Sequence, residues 1–389
     1  MGEPGDRRTA GWLPVEDMQL QGPPELARAL GTALGRVGRQ DRWTHGFHTY
    51  PAGLHPDAAR DTLALLPPGP LLDPFCGGGT SLIEAMAAGR EALGQDLNPV
   101  AVRVSWGRTR LVDEAFLTRL RSRARKLTEA ARRHRELPTD LDVERLRPWY
   151  QRSVAMELEG LRQGILGSDE ELRPLLELAF SSILIKVSFR RSDTSPKKVE
   201  SQRPPGTTAV LFHKKVRELA RRLTALREAV PHGTPEPTVR LGDARSLKDK
   251  ERFAAILTSP PYPAVYDYLR LQDLRLAWLG LDEGKRDSAE ISPRRDFRGH
   301  KRDKALKRWR EDQRSWLKKA AQALRPGGRA AIVIGDGWVA GRPIDTLQPV
   351  LDDGRRAGLQ VLASATGGRL DEGPGAHRRE HLILLEKPA

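Results

Sequence analysis

An α/β fold built on a mostly parallel sheet is predicted for this chain, with a helical subdomain inserted into it. Three observations predict it. A short apolar run, Leu71-Leu72-Asp73, leads into a Gly-rich turn and then into a stretch of helical spacing over 81–88. Further strand-like runs at 91–96, 238–241, 253–257 and 329–334 are separated by helical stretches, the alternation of βαβ units. Between about 111 and 235 that alternation stops, and the chain becomes helical in period and heavily charged, as in Arg119-Leu120-Arg121-Ser122-Arg123-Ala124-Arg125-Lys126.

In chain order, residues 1–23 are rich in Gly and Pro and read as an irregular arm, followed by a helix over 24–37. Thr44-His45-Gly46-Phe47-His48-Thr49-Tyr50-Pro51 is a loop dense in rings, and 56–66 a short helix. In the turn Asp73-Pro74-Phe75-Cys76-Gly77-Gly78-Gly79, the next residue, Thr80, can cap a helix that Gly89 ends. Inside the insertion, Phe189-Arg190-Arg191-Ser192-Asp193-Thr194-Ser195-Pro196-Lys197-Lys198 is a basic, turn-rich loop. Thr258-Ser259-Pro260-Pro261-Tyr262 closes a strand and precedes a helix over 265–279. A long helix over 305–324 ends at Arg325-Pro326-Gly327-Gly328, and the last strands, 359–363 and 381–386, read as a hairpin at the sheet edge. The expected partition is an arm and helix (1–43), a first part of the sheet domain (44–110), the inserted helical subdomain (111–235) and a second part (236–389).

Composition narrows the class. With 389 residues, 38% hydrophobic and 30% charged, the chain can bury a core and is not a disordered type. Its net charge of +15 attracts polyanions, and nucleic acid is the expected partner. The single cysteine, Cys76, excludes a disulfide framework and a multi-cysteine zinc site within one chain, and no metal site is expected. Residues 1–11 lack the apolar core of a leader, and no apolar run approaches the roughly 20 residues that span a bilayer. No membrane association is expected, and the cytoplasm is the expected compartment.

The Gly turn lies between a strand and a helix, where glycines let the backbone pass close to a ligand. Asp96 closes the second strand 17 residues after Gly79, and an acid there can accept both ribose hydroxyls of a nucleoside. The dinucleotide fingerprint Gly-x-Gly-x-x-Gly is absent, because Ser81 and Leu82 follow Thr80, yet the layout alone would also hold a dinucleotide. Asp243, just past another strand, is placed to accept from an adenine amino group.

Two consecutive prolines fix φ twice and remove two amide donors, leaving a stiff turn that presents carbonyl oxygens. Such a turn suits an exocyclic amine of a base, whose lone pair is delocalised into the ring. Ser259 Oγ and the Pro260 carbonyl are acceptors for its two N–H bonds, Pro261 stiffens the bend, and Tyr262 offers a face on which an extruded base can stack. The amine then attacks an activated methyl directly and in line.

Asp73 through Thr80 together with Ser259-Pro260-Pro261-Tyr262 resembles the amino-methyltransferase family of DNA, and the Ser-Pro-Pro-Tyr form resembles its N4-cytosine branch. The resemblance covers about 44–110 and 236–389. It implies a Rossmann-like class I methyltransferase fold, with a mostly parallel seven-stranded sheet and a C-terminal antiparallel hairpin. It also implies S-adenosyl-L-methionine as cofactor, held by Asp73, Pro74, Phe75, Cys76, Gly77, Gly79, Thr80 and Asp96. His48-Thr49-Tyr50-Pro51-Ala52 resembles the family segment that closes over the methionine end, which makes Tyr50 a cofactor residue. The implied activity is methylation of cytosine N4 in DNA on a flipped base, with a cognate restriction enzyme as a possible partner. Alternatives are adenine N6 in DNA, or a base amine in tRNA or rRNA. C5-cytosine chemistry needs a cysteine nucleophile on its own loop after a proline, whereas Cys76 sits in the cofactor turn. The long insertion is unusual for the family.

Residues 285–310 carry eleven Lys/Arg against four Asp/Glu. Arg294, Arg295, Arg298 and Lys301 from this stretch, with Arg190, Arg191, Lys197 and Lys198 from the insertion, are the expected contacts to a phosphate backbone.

Overall fold

Strands in the middle of a parallel sheet are covered on both faces, so they read as continuous apolar runs whose side chains alternate between two cores. The computed structural model shows this directly; it describes residues 17–38, 41–51, 53–141, 143–200, 202–281, 286–298, 302–339, 342–370 and 377–389. The order is β1 (Gln19–Gln21), α1 (Pro24–Leu34), α2 (Pro56–Leu63), β2 (Leu71–Asp73), α3 (Thr80–Ala87), β3 (Ala92–Asp96) and α4 (Pro99–Arg108). A helical stretch follows: α5 (Glu114–Arg133), α6 (Val143–Leu146), α7 (Arg152–Leu166), α8 (Arg173–Leu184), the hairpin β4 (Arg190–Ser192) and β5 (Ser195–Lys198), and α9 (Thr207–Ala229). The sheet resumes with β6 (Thr238–Leu241) and β7 (Phe253–Thr258), then α10 (Tyr268–Leu271), α11 (Asp273–Trp278), α12 (Arg286–Ala289) and α13 (Arg302–Ala323). The chain closes with β8 (Leu324–Gly335), β9 (Gly337–Val339), β10 (Arg342–Ile344), α14 (Leu347–Arg356), β11 (Gln360–Leu370) and β12 (His377–Glu386).

The main sheet runs β1-β11-β12-β8-β7-β2-β3-β6. Its pairs from β6 to β8 are parallel, and those from β8 through β12 and β11 to β1 antiparallel. This is a Rossmann-like, mostly parallel sheet with a C-terminal antiparallel hairpin, extended by one strand. Leu71, Ala255, Leu257, Ala331 and Val333 face a core closed by α1, α2 and α3. Their neighbours Leu72, Ile256 and Ile332 face the opposite core, closed by α13 and α14. A third core fills the helical stretch and takes in Val100 and Val104 of α4 and Leu274, Leu276 and Trp278 of α11. No helix among the described residues is long and apolar enough to cross a membrane.

Several elements differ from the sequence reading. Part of the expected arm forms β1, which pairs Gln19, Leu20 and Gln21 with Thr366, Ala365 and Ser364, so the hairpin is not the sheet edge. Gly22 makes this possible: its φ is +105°, and a Cβ there would stand 2.5 Å from the Leu362 carbonyl oxygen. Thr80 begins α3 rather than capping it, because Gly79 holds the cap position at φ 80°. The helix expected over 265–279 is two short helices broken at Gln272, whose buried side chain accepts from Arg275 Nη1 at 2.7 Å. The basic loop of the insertion is the hairpin β4–β5. Residues 1–16 of the expected arm lie outside the described residues.

Candidate active site

The carboxyl ends of β2, β3, β6 and β7 open onto a cavity of about 960 Å³, counting its mouth. That is where open α/β sheets place ligands. Residues of the Gly turn, the ends of β3 and β6, and the diproline bend all line it.

The Gly turn is held by a buried acid. Asp73 Oδ1 accepts from Phe75 N at 3.1 Å and from Thr258 Oγ1 at 2.7 Å, and Oδ2 accepts from Ser81 Oγ. One carboxylate thus ties the ends of β2 and β7 to the start of α3. Burial pushes it up to about 6, against the pull of these hydrogen bonds. Gly77 and Gly79 have φ of 48° and 80°. A Cβ on Gly79 would lie 2.8 Å from Ser105 Cβ, and one on Gly77 3.3 Å from Tyr50 Cε1. The turn is therefore packed from beneath by α4 and from one side by Tyr50. Cys76 is buried at the edge of the cavity, its thiol pushed well up by burial.

Arg108, which the sequence reading did not single out, staples this region. Its buried guanidinium donates to Gly78 O at 2.7 Å, Thr44 O at 2.9 Å and His45 O at 2.7 Å. The ring-dense loop carrying Tyr50 is fixed to the Gly turn by this one side chain.

Asp96 Oδ2 accepts from Gly77 N at 2.9 Å and Oδ1 from Asn98 N at 2.8 Å. Burial raises its carboxyl to about 6. Each oxygen keeps acceptor capacity for a ligand hydroxyl. Asn98 caps α4 through Oδ1 to Val100 N at 2.9 Å, while its buried Nδ2 has no partner beside the cavity it helps line. Asn immediately before Pro99 is an N-cap signal that could have drawn attention to it. Asp243 lines the cavity, but Arg245 grips its carboxylate, with Nε at 3.0 and 3.1 Å and Nη2 at 2.6 Å. Contrary to the expectation of a free acceptor, this acid spends most of its capacity inside the fold.

At the other wall, Ser259 and Pro261 line the cavity and Pro260 and Tyr262 do not. Tyr262 packs its ring against Gly335, where a Cβ would lie 2.7 Å from Cε2, and donates its hydroxyl to Glu380 Oε1 at 2.6 Å. The aromatic face expected inside the cavity comes instead from Tyr268, with Leu269, Glu290 and Ile291 beside it. Glu290 accepts from Arg295 Nη1 at 2.6 Å and from Leu269 N at 3.3 Å; burial raises its carboxyl, and Arg295 opposes the rise. Nothing local in the sequence marks Tyr268, Glu290 or Glu380.

Of the expected backbone contacts, Arg191, Lys197 and Lys198 are exposed on β4–β5, and Arg294 and Arg298 are exposed near the diproline wall. Arg190 is a correction: it is buried, bonds Leu271 O at 3.0 Å and Asp273 at 2.7 Å, and lies against the Trp149 ring. Arg295 is another, since Glu290 and Asp267 hold it. Both fasten the wall instead of facing outward. Lys301 lies outside the described residues.

No protein-family model matches the chain. It is similar to the type II methyltransferase M.MvaI of Kocuria varians, at 27% identity over 266 residues, 61% of this chain and 58% of that protein. The match thus spans less than two thirds of that relative's length. Among solved structures it is similar to the rRNA methyltransferase AviRa of Streptomyces viridochromogenes (14% identity, 88% of this chain and 89% of that one, TM-score 0.33). TrmN of Thermus thermophilus aligns at 14% identity over 85% of this chain and 48% of that one, TM-score 0.32. A second Thermus thermophilus protein, carrying a DNA modification methylase designation, aligns at 19% identity over 38% and 51%, TM-score 0.25.

Proposed function

We propose that this chain is an S-adenosylmethionine-dependent methyltransferase acting on an exocyclic amino group of a DNA base, with cytosine N4 as the target. The observation that carries this reading is the shared cavity: Ser259 and Pro261 of the diproline bend line the same space as Gly77, Gly78 and Asp96.

The cofactor fits the residues present. Asp96 has acceptor capacity for ribose hydroxyls, and the backbone of Gly77 and Gly78 lines the cavity with Tyr50 packed against it. Bound there, S-adenosylmethionine supplies an electrophilic methyl group. Ser259 Oγ, which lines the cavity, accepts a hydrogen of the amine, which localises the nitrogen lone pair and aims it. Tyr268 offers the extruded base an aromatic wall. Arg191, Lys197 and Lys198 with Arg294 and Arg298 supply phosphate contacts, consistent with the net charge of +15. The similarity to a type II methyltransferase supports DNA as the polymer, and a restriction enzyme of matching sequence is the partner this reading implies. The helical stretch 111–235 serves as the insertion that completes the acceptor wall.

Tritiated-methyl transfer onto DNA and RNA, followed by nucleoside mass spectrometry, tests the reading. N4-methyldeoxycytidine is the expected product. N6-methyldeoxyadenosine would reassign the base, a methylated ribonucleoside would reassign the polymer, and no transfer to either would overturn the reading.

A further inference from the structure

Tyr262 belongs to the diproline bend yet stands outside the cavity, and its surroundings are specific. Glu380 on β12 is flanked across the sheet by Gly335 of β8 and Gly367 of β11. Neither neighbour has a side chain, so the Tyr262 ring lies flush on the sheet and its hydroxyl reaches Glu380 Oε1 at 2.6 Å. Ser259 Oγ stands 3.4 Å from Tyr262 Oη, with Ser259 as donor. That distance is long for an O–H···O bond, and such contacts commonly tighten when substrate closes a site. The hydroxyls point one way, from the cavity wall through Tyr262 to a carboxylate outside the cavity.

We propose that Ser259, Tyr262 and Glu380 form a proton outlet for the methylated amine, with Glu380 as the terminal acceptor; this rests on the amino-methyltransferase reading. As the nitrogen lone pair forms the new N–C bond, the pair of the breaking C–S bond passes to sulfur. The nitrogen then carries a positive charge and two hydrogens. One proton passes to Ser259 Oγ, the Ser259 proton to Tyr262 Oη, and the Tyr262 proton to Glu380 Oε1. Glu380, half-buried, returns it to solvent. The other charged and titratable groups near Glu380 do not compete for this role. Arg379 is bonded to Asp336 and Asp345, and His381 to Asp336 and Thr366. Tyr268 is held neutral by burial. Gly335 and Gly367 add none.

The test uses the full chain and a DNA substrate, in single-turnover methyl transfer across a pH series. Glu380→Gln keeps an acceptor for Tyr262 but cannot take a proton. It is expected to slow transfer about 10²-fold across the pH series. Glu380→Asp restores most of the rate. Tyr262→Phe slows transfer similarly, and the double variant is no slower than either single one, as members of one relay require. Without cofactor or substrate, ultraviolet titration with Tyr262→Phe as the blank shows the Tyr262 phenol titrating lower in Glu380→Gln. A Glu380→Gln rate and pH profile matching wild type, or a double variant whose losses multiply, overturns the relay while leaving the methyltransferase reading intact. Wild-type protein that transfers no methyl group to DNA or RNA overturns both.

Discussion

The two walls of the cavity are built differently. The cofactor wall comes mostly from β2 through α4, where Asp73 bonds Phe75 and Ser81, Asp96 bonds Gly77 and Asn98, and Arg108 bonds Gly78; longer bonds from Asp73 to Thr258 and from Arg108 to Thr44 and His45 close it. The acceptor wall is two short helices and a bend pinned from far away. Arg190 reaches Asp273, Arg275 reaches Asp193, and Tyr262 reaches Glu380. Much of the Gly turn is shaped by bonds local to its strand–turn–helix. The acceptor wall, made of distant bonds, exists only once the helical stretch and β12 have docked.

The largest expected effect isolates the acceptor wall. Ser259→Ala should slow methyl transfer about 10³-fold, the scale on which one preorganised hydrogen-bonding group matters to a chemical step. Cofactor affinity by calorimetry should stay within about twofold. A large loss of affinity would break the separation of the two walls.

Next in size is the anchoring. The buried Arg275 guanidinium bonds Ser181 O at 3.1 Å, Gln272 Oε1 at 2.7 Å and Asp193. Arg275→Met leaves Asp193 uncompensated and should cost about 3 kcal/mol of unfolding free energy, read as a lowered denaturant midpoint. If that variant lost as much cofactor affinity as stability, the walls would not be independent.

The smallest effect sharpens the cofactor wall. Burial raises Asp96 to about 6, so below that pH the neutral acid dominates in the free protein. The ionised carboxylate is the better acceptor for ribose hydroxyls, so cofactor affinity should rise with pH from about 5 to about 7, by up to roughly tenfold per unit below the pKa. Asp96→Asn should bind more weakly with that rise removed. A wild-type affinity flat over this range would remove Asp96 from the cofactor site.

The same contrast explains what the sequence disclosed. Gly77, Gly79 and Asp96 were legible because strand, turn and helix signals are contiguous, and the strand alternation gave the sheet. Ser259 and Pro261 were legible because two prolines after a buried strand leave few conformations. Tyr262 was visible, but its surroundings were not: they depend on glycines at 335 and 367 and an acid at 380. Arg190 looked like a phosphate ligand because its chain neighbours are basic, whereas its true partners are Leu271 and Asp273. Tyr268 and Glu290 face the cavity from segments around a helix broken at Gln272, a break that local periodicity does not show.

Three residues near the beginning of the chain have a consequence for how copies of the molecule meet. By pairing with Ser364, Ala365 and Thr366, β1 occupies the middle of β11 and leaves free margins only at 360–363 and 367–370. The opposite rim, β6, is four residues long, and Pro235 and Pro237 just before it lack amide donors. Among the described residues, neither rim of the main sheet offers a long template on which a second chain could add its own strand.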